Sequence, residues 1–122
     1  MIQIDHVGIA ARNPESSAKW LAQILGTGSP SVDGADDDMF RIDLGHGAFV
    51  LFNAAEKIDL THMAFRVDVA EFKNVIDRLR SMSVSFGNEP DDTKNGRTED
   101  PLGGAGRVYF VDENGHLFEV TC

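Results

Sequence analysis

Hydrophobic and polar residues alternate in several short stretches, whereas two longer stretches carry hydrophobic residues every three or four positions. Alternation with β-branched residues predicts strands at 2–11, 39–44, 48–54, 60–67, 107–112 and 116–122, with a weak one within 27–38 and a short one at 84–86. The helical spacing predicts helices after Asn13 and after Asp68. The predicted order is strand, helix and three strands, followed by the same order again.

The residues at the ends of these elements support the assignments. Asn13 suits an N-cap, Pro14 suits the first helical position, and Gly26 suits a left-handed residue at the helix end. Asp68 with Glu71 resembles a capping box at the start of the second helix. The pair Asn114-Gly115 favours a two-residue hairpin before the last strand.

The repeated order reflects an internal repeat that is centred on two histidines. His6 lies in an apolar strand and His62 lies in a second one, at an offset of 62 − 6 = 56 residues. Each strand leads into a capped helix. We therefore expect a single domain over residues 1–122, made of a first module at 1–56 and a second module at 57–122.

Composition and charge exclude several classes of partner. The net charge of −9 argues against nucleic-acid backbones and anionic membrane surfaces, although it leaves an anionic small-molecule substrate open. No apolar run reaches the length of a membrane span, and no signal-peptide pattern opens the chain. The single cysteine, Cys122, cannot form an internal disulfide. A cytoplasmic location is therefore expected.

Three polar residues lie within apolar strands. His6 and His62 occupy equivalent repeat positions, and Glu119 stands between Phe118 and Val120. A buried carboxylate is costly unless it is paired or binds a metal, and two histidines with one carboxylate commonly bind Zn, Fe, Mn, Co or Ni with coordination positions left open. Alternatively, each histidine has an ordinary hydrogen-bond partner and Glu119 lies on a solvated sheet face.

The segment 87–106 interrupts the pattern because it is long, polar and rich in glycine. A loop of this length in a small domain is often a lid or a site-lining segment, and otherwise it is simply disordered. Its glycines do not follow a strand and open a helix, so a phosphate-binding loop is disfavoured.

Three stretches resemble a known family. They are Ile4-Asp5-His6-Val7-Gly8-Ile9-Ala10 leading into Asn13-Pro14-Glu15, then Thr61-His62-Met63-Ala64-Phe65, and Val108-Tyr109-Phe110-Val111-Asp112-Glu113-Asn114-Gly115-His116-Leu117-Phe118-Glu119-Val120. The chain resembles the vicinal oxygen chelate superfamily, which includes glyoxalase I, bleomycin-resistance proteins, fosfomycin-resistance proteins and extradiol dioxygenases. The resemblance implies an α+β fold of two tandem βαβββ modules that form a curled mixed-sheet cleft.

The resemblance also implies a ligand set and a cofactor. The metal ligands of the family correspond to His6, His62 and Glu119, which would hold one divalent ion of Zn, Ni, Co, Mn or Fe. Alignment of the two modules puts Leu51 opposite Glu119. Because leucine cannot bind a metal, a four-ligand glyoxalase I is disfavoured. The fosfomycin and dioxygenase branches fit imperfectly as well, and a homodimer is expected from the resemblance.

Three functions follow as expectations. The first is a metal-dependent lyase, isomerase or transferase whose small substrate chelates the metal through two oxygens. Glu119 and Tyr109 would be catalytic, and Arg66, Arg107 and Leu51 would bind substrate, with packing as the alternative for Tyr109 and solvent exposure for the arginines. The second is a non-catalytic protein of the bleomycin-resistance type that sequesters a planar or hydrophobic ligand in a dimer cleft lined by Phe40, Phe49, Phe52 and Phe65. The third is an extradiol-type dioxygenase.

Overall fold

The chain forms two compact units, Met1–Asp59 and Leu60–Cys122. A computed structural model of the chain describes all of its residues, from Met1 to Cys122. Each unit contains one helix and one mixed sheet, with four strands in the first unit and three in the second. The predicted α+β class is therefore confirmed. Neither helix has the combination of length and apolar character that crossing a membrane requires.

The first unit consists of β1 (His6–Ala11), α1 (Pro14–Leu25), β2 (Ser31–Asp33), β3 (Met39–Gly45) and β4 (Ala48–Ala54). Its strands lie in the order β1-β4-β3-β2, with β1 parallel to β4 and the other pairs antiparallel. β1 starts at His6 rather than at the predicted residue 2. Its partner β4 begins only at Ala48, so the residues before Asp5 have no neighbouring strand.

The predicted caps fix both ends of α1. The Asn13 side chain accepts a hydrogen bond from the Ser16 backbone N–H, and Gly26 ends the helix with a left-handed φ of 72°. Helix and sheet bury one apolar core, which includes Ile9, Leu21, Ile24, Ile42, Val50 and Phe52. Each large side chain in this core contributes about 1.5–3 kcal/mol of transfer free energy. The opposite sheet face carries His6 on β1 and Leu51 on β4.

The second unit consists of β5 (His62–Arg66), α2 (Val69–Ser81), β6 (Arg107–Val111) and β7 (Leu117–Thr121). β7 lies between β5, to which it is parallel, and β6, to which it is antiparallel. α2 begins as predicted, because the Asp68 carboxylate accepts a hydrogen bond from the Glu71 N–H at 2.7 Å. The ring of Phe72 on α2 lies against Gly106, directly before β6.

The predicted strand at 84–86 is absent, and only an isolated bridge joins Gly87 to Tyr109 of β6. The backbone of this segment is hydrogen-bonded elsewhere. The N–H of Val84 donates to the Leu79 carbonyl at the end of α2, and the carbonyl of Phe86 accepts from the Gly96 N–H. Because these backbone groups are already hydrogen-bonded, they are not available to pair with β6 as a strand.

The predicted hairpin is present, since β6 and β7 are consecutive and antiparallel, but its loop spans the five residues from Asp112 to His116 rather than two. The Asp112 carboxylate accepts hydrogen bonds from the backbone N–H groups of Asn114 and His116 and from the Asn114 amide. His116 is fully buried, and its Nδ1 accepts a hydrogen bond from the Thr61 N–H at 3.0 Å. The loop contains a tight turn, in which the Gly115 N–H donates to the Asp112 carbonyl at 3.1 Å, and the Asp112 side chain stabilises it.

The segment 87–106 is a loop with a defined hydrogen-bond network rather than a structureless one. The Asn88 amide donates to the Glu99 carbonyl at 3.0 Å, and the Asn95 amide donates to the Asn88 side-chain oxygen at 2.8 Å. The Arg107 N–H closes the loop onto the Thr98 carbonyl. These contacts fix the conformation of the loop and therefore the position of Asp100 within it.

Strand register places His6 and His62 at equivalent positions in the parallel strand pairs of the two units. His6 is opposite Phe49 in the parallel pair of the first unit, and His62 is opposite Leu117 in the parallel pair of the second. Two residues further along, the corresponding positions are Leu51 and Glu119. Leucine therefore occupies in the first unit the position that the carboxylate occupies in the second.

Candidate functional site

His62 and Glu119 meet on one face of the second unit's sheet. They lie on the neighbouring parallel strands β5 and β7, with Glu119 opposite Ala64. The Nε2 atom of His62 is 2.9 Å from the Oε1 atom of Glu119. The side chain of Glu119 is 6% exposed and that of His62 is 52% exposed. The pair therefore joins a buried carboxylate to an imidazole that is open to solvent.

Arg107 holds the second oxygen of this carboxylate. Its Nη1 donates to Glu119 Oε2, and its Nε donates to Asp100 Oδ1 at 2.8 Å. Asp100 also accepts hydrogen bonds from the backbone N–H groups of Leu102 at 2.8 Å and Gly104 at 3.0 Å. The hydrogen bond from Arg107, assisted by these amides, lowers the pKa of Asp100, and the same carboxylate raises the pKa of Arg107.

The charges in this cluster do not cancel. Asp100 and Glu119 are two carboxylates whose side chains are 3% and 6% exposed, and the single guanidinium of Arg107 contacts both. Counted as ionised groups, the three side chains carry a formal charge of −1, and His62 is the neighbour of the remaining oxygen, Glu119 Oε1. A buried carboxylate is stabilised at such an oxygen by a hydrogen-bond donor or by a cation such as a metal ion.

The spacing of the two donor atoms fits a metal ion. Metal–nitrogen and metal–oxygen bonds of about 2.0–2.1 Å put two ligands about 2.9 Å apart at a right angle and about 3.4 Å apart in a tetrahedron. The observed separation of His62 Nε2 and Glu119 Oε1 is 2.9 Å. An ionised carboxylate only accepts hydrogen bonds, so the pair requires a proton on Nε2. Once that proton moves to Nδ1, both atoms present lone pairs side by side.

His6 occupies the equivalent position in the first unit with a different set of neighbours. Its Nδ1 is 2.7 Å from a carboxylate oxygen of Asp5, which fixes the proton on Nδ1 and leaves the lone pair on Nε2. The imidazole stacks on the ring of Phe49 with 4.8 Å between centroids and 8° between planes. The guanidinium carbon of Arg41 lies 3.6 Å from the centroid of the same Phe49 ring. These contacts fix the orientation of the His6 imidazole.

Taken by itself, neither unit collects three or more His, Cys, Asp or Glu side chains in a group that could hold a metal ion. Of the predicted ligands, the second unit brings together His62 and Glu119, whereas His6 belongs to the first unit.

The remaining predicted site residues have distinct surroundings. Tyr109 is buried on β6 opposite Glu119, with its ring centroid 6.1 Å from that of His62. Arg66 is exposed on β5, on the same side of the strand as His62, and makes no ion pair. Arg107, by contrast, has its donors engaged by two carboxylates. Leu51 is half-buried on β4, opposite Gly8 of β1.

Sequence patterns did not reveal Asp5 or Asp100 as partners of the site residues. Asp5 could have been found, because a carboxylate next to a strand histidine is a common partner of a ligating imidazole. Asp100 has no such signal, since it lies in the polar loop and reaches Arg107 only through the path of the folded chain.

Comparisons with known proteins identify the family and support the fold. Residues 3–120 match the family described as Glyoxalase/Bleomycin resistance protein/Dioxygenase superfamily. Two solved structures, Oxidase ChaP-H1 and Oxidase ChaP-H2, share 25% and 27% sequence identity with TM-scores of 0.87 and 0.86. Each alignment covers 98% of this chain, with 94% and 91% of the respective oxidase.

Fosfomycin Resistance Protein FosX from Mesorhizobium loti is similar in fold, with a TM-score of 0.66 and 22% identity over 98% of this chain and 92% of that one. No curated protein sequence matches the chain.

Proposed function

Because the chain belongs to the Glyoxalase/Bleomycin resistance protein/Dioxygenase superfamily, we propose that it is a divalent-metal-dependent enzyme. Its substrate would be a small molecule that chelates the metal through two oxygens. The observation that carries the proposal is the His62–Glu119 pair, a buried carboxylate beside a solvent-accessible imidazole. A homodimer, which the family resemblance implies, and a cytoplasmic location are further parts of the proposal.

His62, Glu119 and His6 are the proposed ligands. When bound, a divalent ion of Zn, Ni, Co, Mn or Fe supplies Lewis acidity, which stabilises negative charge on the oxygens of a chelating substrate. Asp5 favours the His6 tautomer with a lone pair on Nε2, because its carboxylate accepts a hydrogen bond from Nδ1–H. Leu51, at the position equivalent to Glu119, adds no ligand and leaves coordination positions for the substrate.

The proposed substrate contacts come from three side chains. Arg66 has an exposed guanidinium on the His62 side of β5, so it is the arginine available for an anionic group of the substrate. Arg107 is proposed to act on Glu119 instead, because Asp100 and Glu119 already engage its donors. Tyr109 is the candidate for acid–base assistance, and Leu51 offers an apolar contact.

The two oxidases support a second version of this function. Both similar structures are named as oxidases, and an extradiol dioxygenase was among the expectations from sequence. Oxidation of a metal-chelating substrate is therefore a candidate reaction alongside lyase, isomerase and transferase chemistry. A two-histidine, one-carboxylate ligand set suits iron-dependent oxygen chemistry as well as Lewis-acid catalysis.

A non-catalytic binding protein is less well supported. Of the four phenylalanines proposed to line its cleft, Phe52 is fully buried with the core, and Phe40 is its partner on β3. Phe65 lies opposite the fully buried Val120. Only Phe49 lies on the face that carries His6, where the imidazole covers it.

Metal content tests the proposal without knowledge of the substrate. Protein reconstituted with a divalent metal and then desalted is expected to retain about one metal per chain by elemental analysis. His62→Ala and Glu119→Gln should lose that metal because each removes a donor atom. His46→Ala is the matched control, since His46 is exposed in the β3–β4 turn. Retention of metal by both site variants at the parent level would contradict the proposal.

A further inference from the structure

Asp100 and Arg107 form a support behind the candidate ligand Glu119. We infer that they are positioning residues, which fix the orientation of the Glu119 carboxylate. Arg107 binds Oε2, and Oε1 then faces the metal site. This inference rests on the proposed metal-dependent function. It assigns a role to a loop residue, Asp100, that lies outside the repeat and outside the predicted ligand set.

The contacts determine the orientation of the carboxylate. The planar guanidinium of Arg107 is bonded on its Nε side to Asp100 and through Nη1 to Glu119. Its Nη2 lies 3.5 Å from the second Asp100 oxygen. Because a guanidinium is rigid and planar, fixing one edge on Asp100 sets the direction in which Nη1 points.

Asp100 is itself fixed by the backbone. Its two oxygens accept hydrogen bonds from the N–H groups of Leu102 and Gly104. The close fit of Gly104 adds to this, because a Cβ at Gly104 would come within 2.3 Å of Asp100 Oδ2. The loop backbone therefore fixes the position of Asp100. Asp100 in turn fixes the guanidinium of Arg107, which fixes the carboxylate of Glu119.

The charge of Asp100 has a second consequence. An arginine beside a ligand carboxylate would by itself neutralise it and weaken its attraction for a cation. Asp100 offsets the charge of Arg107, because the same guanidinium contacts both carboxylates. The pair thus supplies rigidity without competing electrostatically with the metal.

Two substitutions separate positioning from simple electrostatics. Asp100→Asn removes a negative charge, and Arg107→Gln removes a positive charge. If only charge mattered, the first would weaken metal binding and the second would strengthen it. If Glu119 must be held in place, both weaken it. Arg107→Lys keeps the charge but loses the planar fork, so it should restore only part of the affinity that Arg107→Gln loses.

The experiment uses Co²⁺ as the probe with the full chain. Affinity is measured by titration, and the visible ligand-field spectrum reports coordination geometry. Asp100→Asn and Arg107→Gln are expected to bind Co²⁺ about 10–100-fold more weakly, with altered spectra, as for other residues that orient ligands. Glu99→Gln, a change at the exposed neighbour of Asp100, should match the parent. Circular dichroism without metal verifies folding, and if Arg107→Gln does not fold, Arg107→Lys provides the comparison.

The outcomes are distinguishable. Parent-like affinity and spectra in Asp100→Asn and Arg107→Lys, in a parent that binds Co²⁺, would overturn the positioning role and leave the proposed function standing. Tighter binding by Arg107→Gln would also overturn it. A parent protein that binds no divalent metal would overturn both the inference and the proposed function.

Discussion

Glu119 carries a carboxylate into the interior of the second unit, where 6% of its side chain is exposed. Its two oxygens have different partners, with His62 at Oε1 and Arg107 at Oε2. Glutamate in an apolar strand is itself informative, and it identified this position in the sequence. The identity of its charge partners was not predictable, because Arg107 equally suited a solvent-facing role and Asp100 lies in an irregular loop.

The ionisation of Asp100 makes stability depend on pH. Hydrogen bonds from Arg107 and the loop amides lower its pKa from the usual 3.8 in the folded state. The unfolded chain therefore takes up this proton first, so the contribution of Asp100 is fully present above about pH 4 and is lost as the pH falls below it. Urea unfolding between pH 7 and 3 should show a shallower loss for Asp100→Asn than for the parent. Identical pH profiles for the two, with Glu99→Gln as control, would contradict this assignment.

The elements of the fold were largely predictable, and the exceptions have local causes. Both helices begin where Asn13 and Asp68 predict, and α1 ends where Gly26 predicts, because capping depends on groups a few residues away. The strand predicted at 84–86 is absent because its backbone groups are hydrogen-bonded to the end of α2 and to Gly96. The predicted hairpin has a longer loop because the Asp112 side chain accepts hydrogen bonds from the backbone of that loop.

The close packing of α2 against the residue before β6 leads to a prediction about stability. A Cβ on Gly106 would lie 2.4–2.9 Å from three atoms of the buried Phe72 ring. Gly106→Ala should therefore destabilise the protein by about 1–3 kcal/mol, as overpacking does. Gly8→Ala is the matched control, because its nearest atom would be 3.7 Å away. Chemical denaturation of both variants measures the difference, and equal stabilities would show that Phe72 accommodates the methyl group at no cost.

At the scale of the whole molecule, the two units share the position of a histidine and differ in one residue of the last strand. Each unit places a histidine on the strand that pairs in parallel with its last strand. The last strand then carries Leu51 in one unit and Glu119 in the other. The chain has a net charge of −9, and most of its carboxylates are exposed. What distinguishes Glu119 is burial, a paired imidazole and a fixed orientation.

The central claim is that His62 and Glu119 ligate a divalent metal. Anomalous diffraction from crystals soaked in Zn²⁺ and measured across its absorption edge tests it most directly. The account predicts a peak about 2.0–2.2 Å from His62 Nε2 and from Glu119 Oε1. A peak found only at exposed carboxylates such as Asp36–Asp38, with the 2.9 Å hydrogen bond between His62 and Glu119 intact, would contradict it.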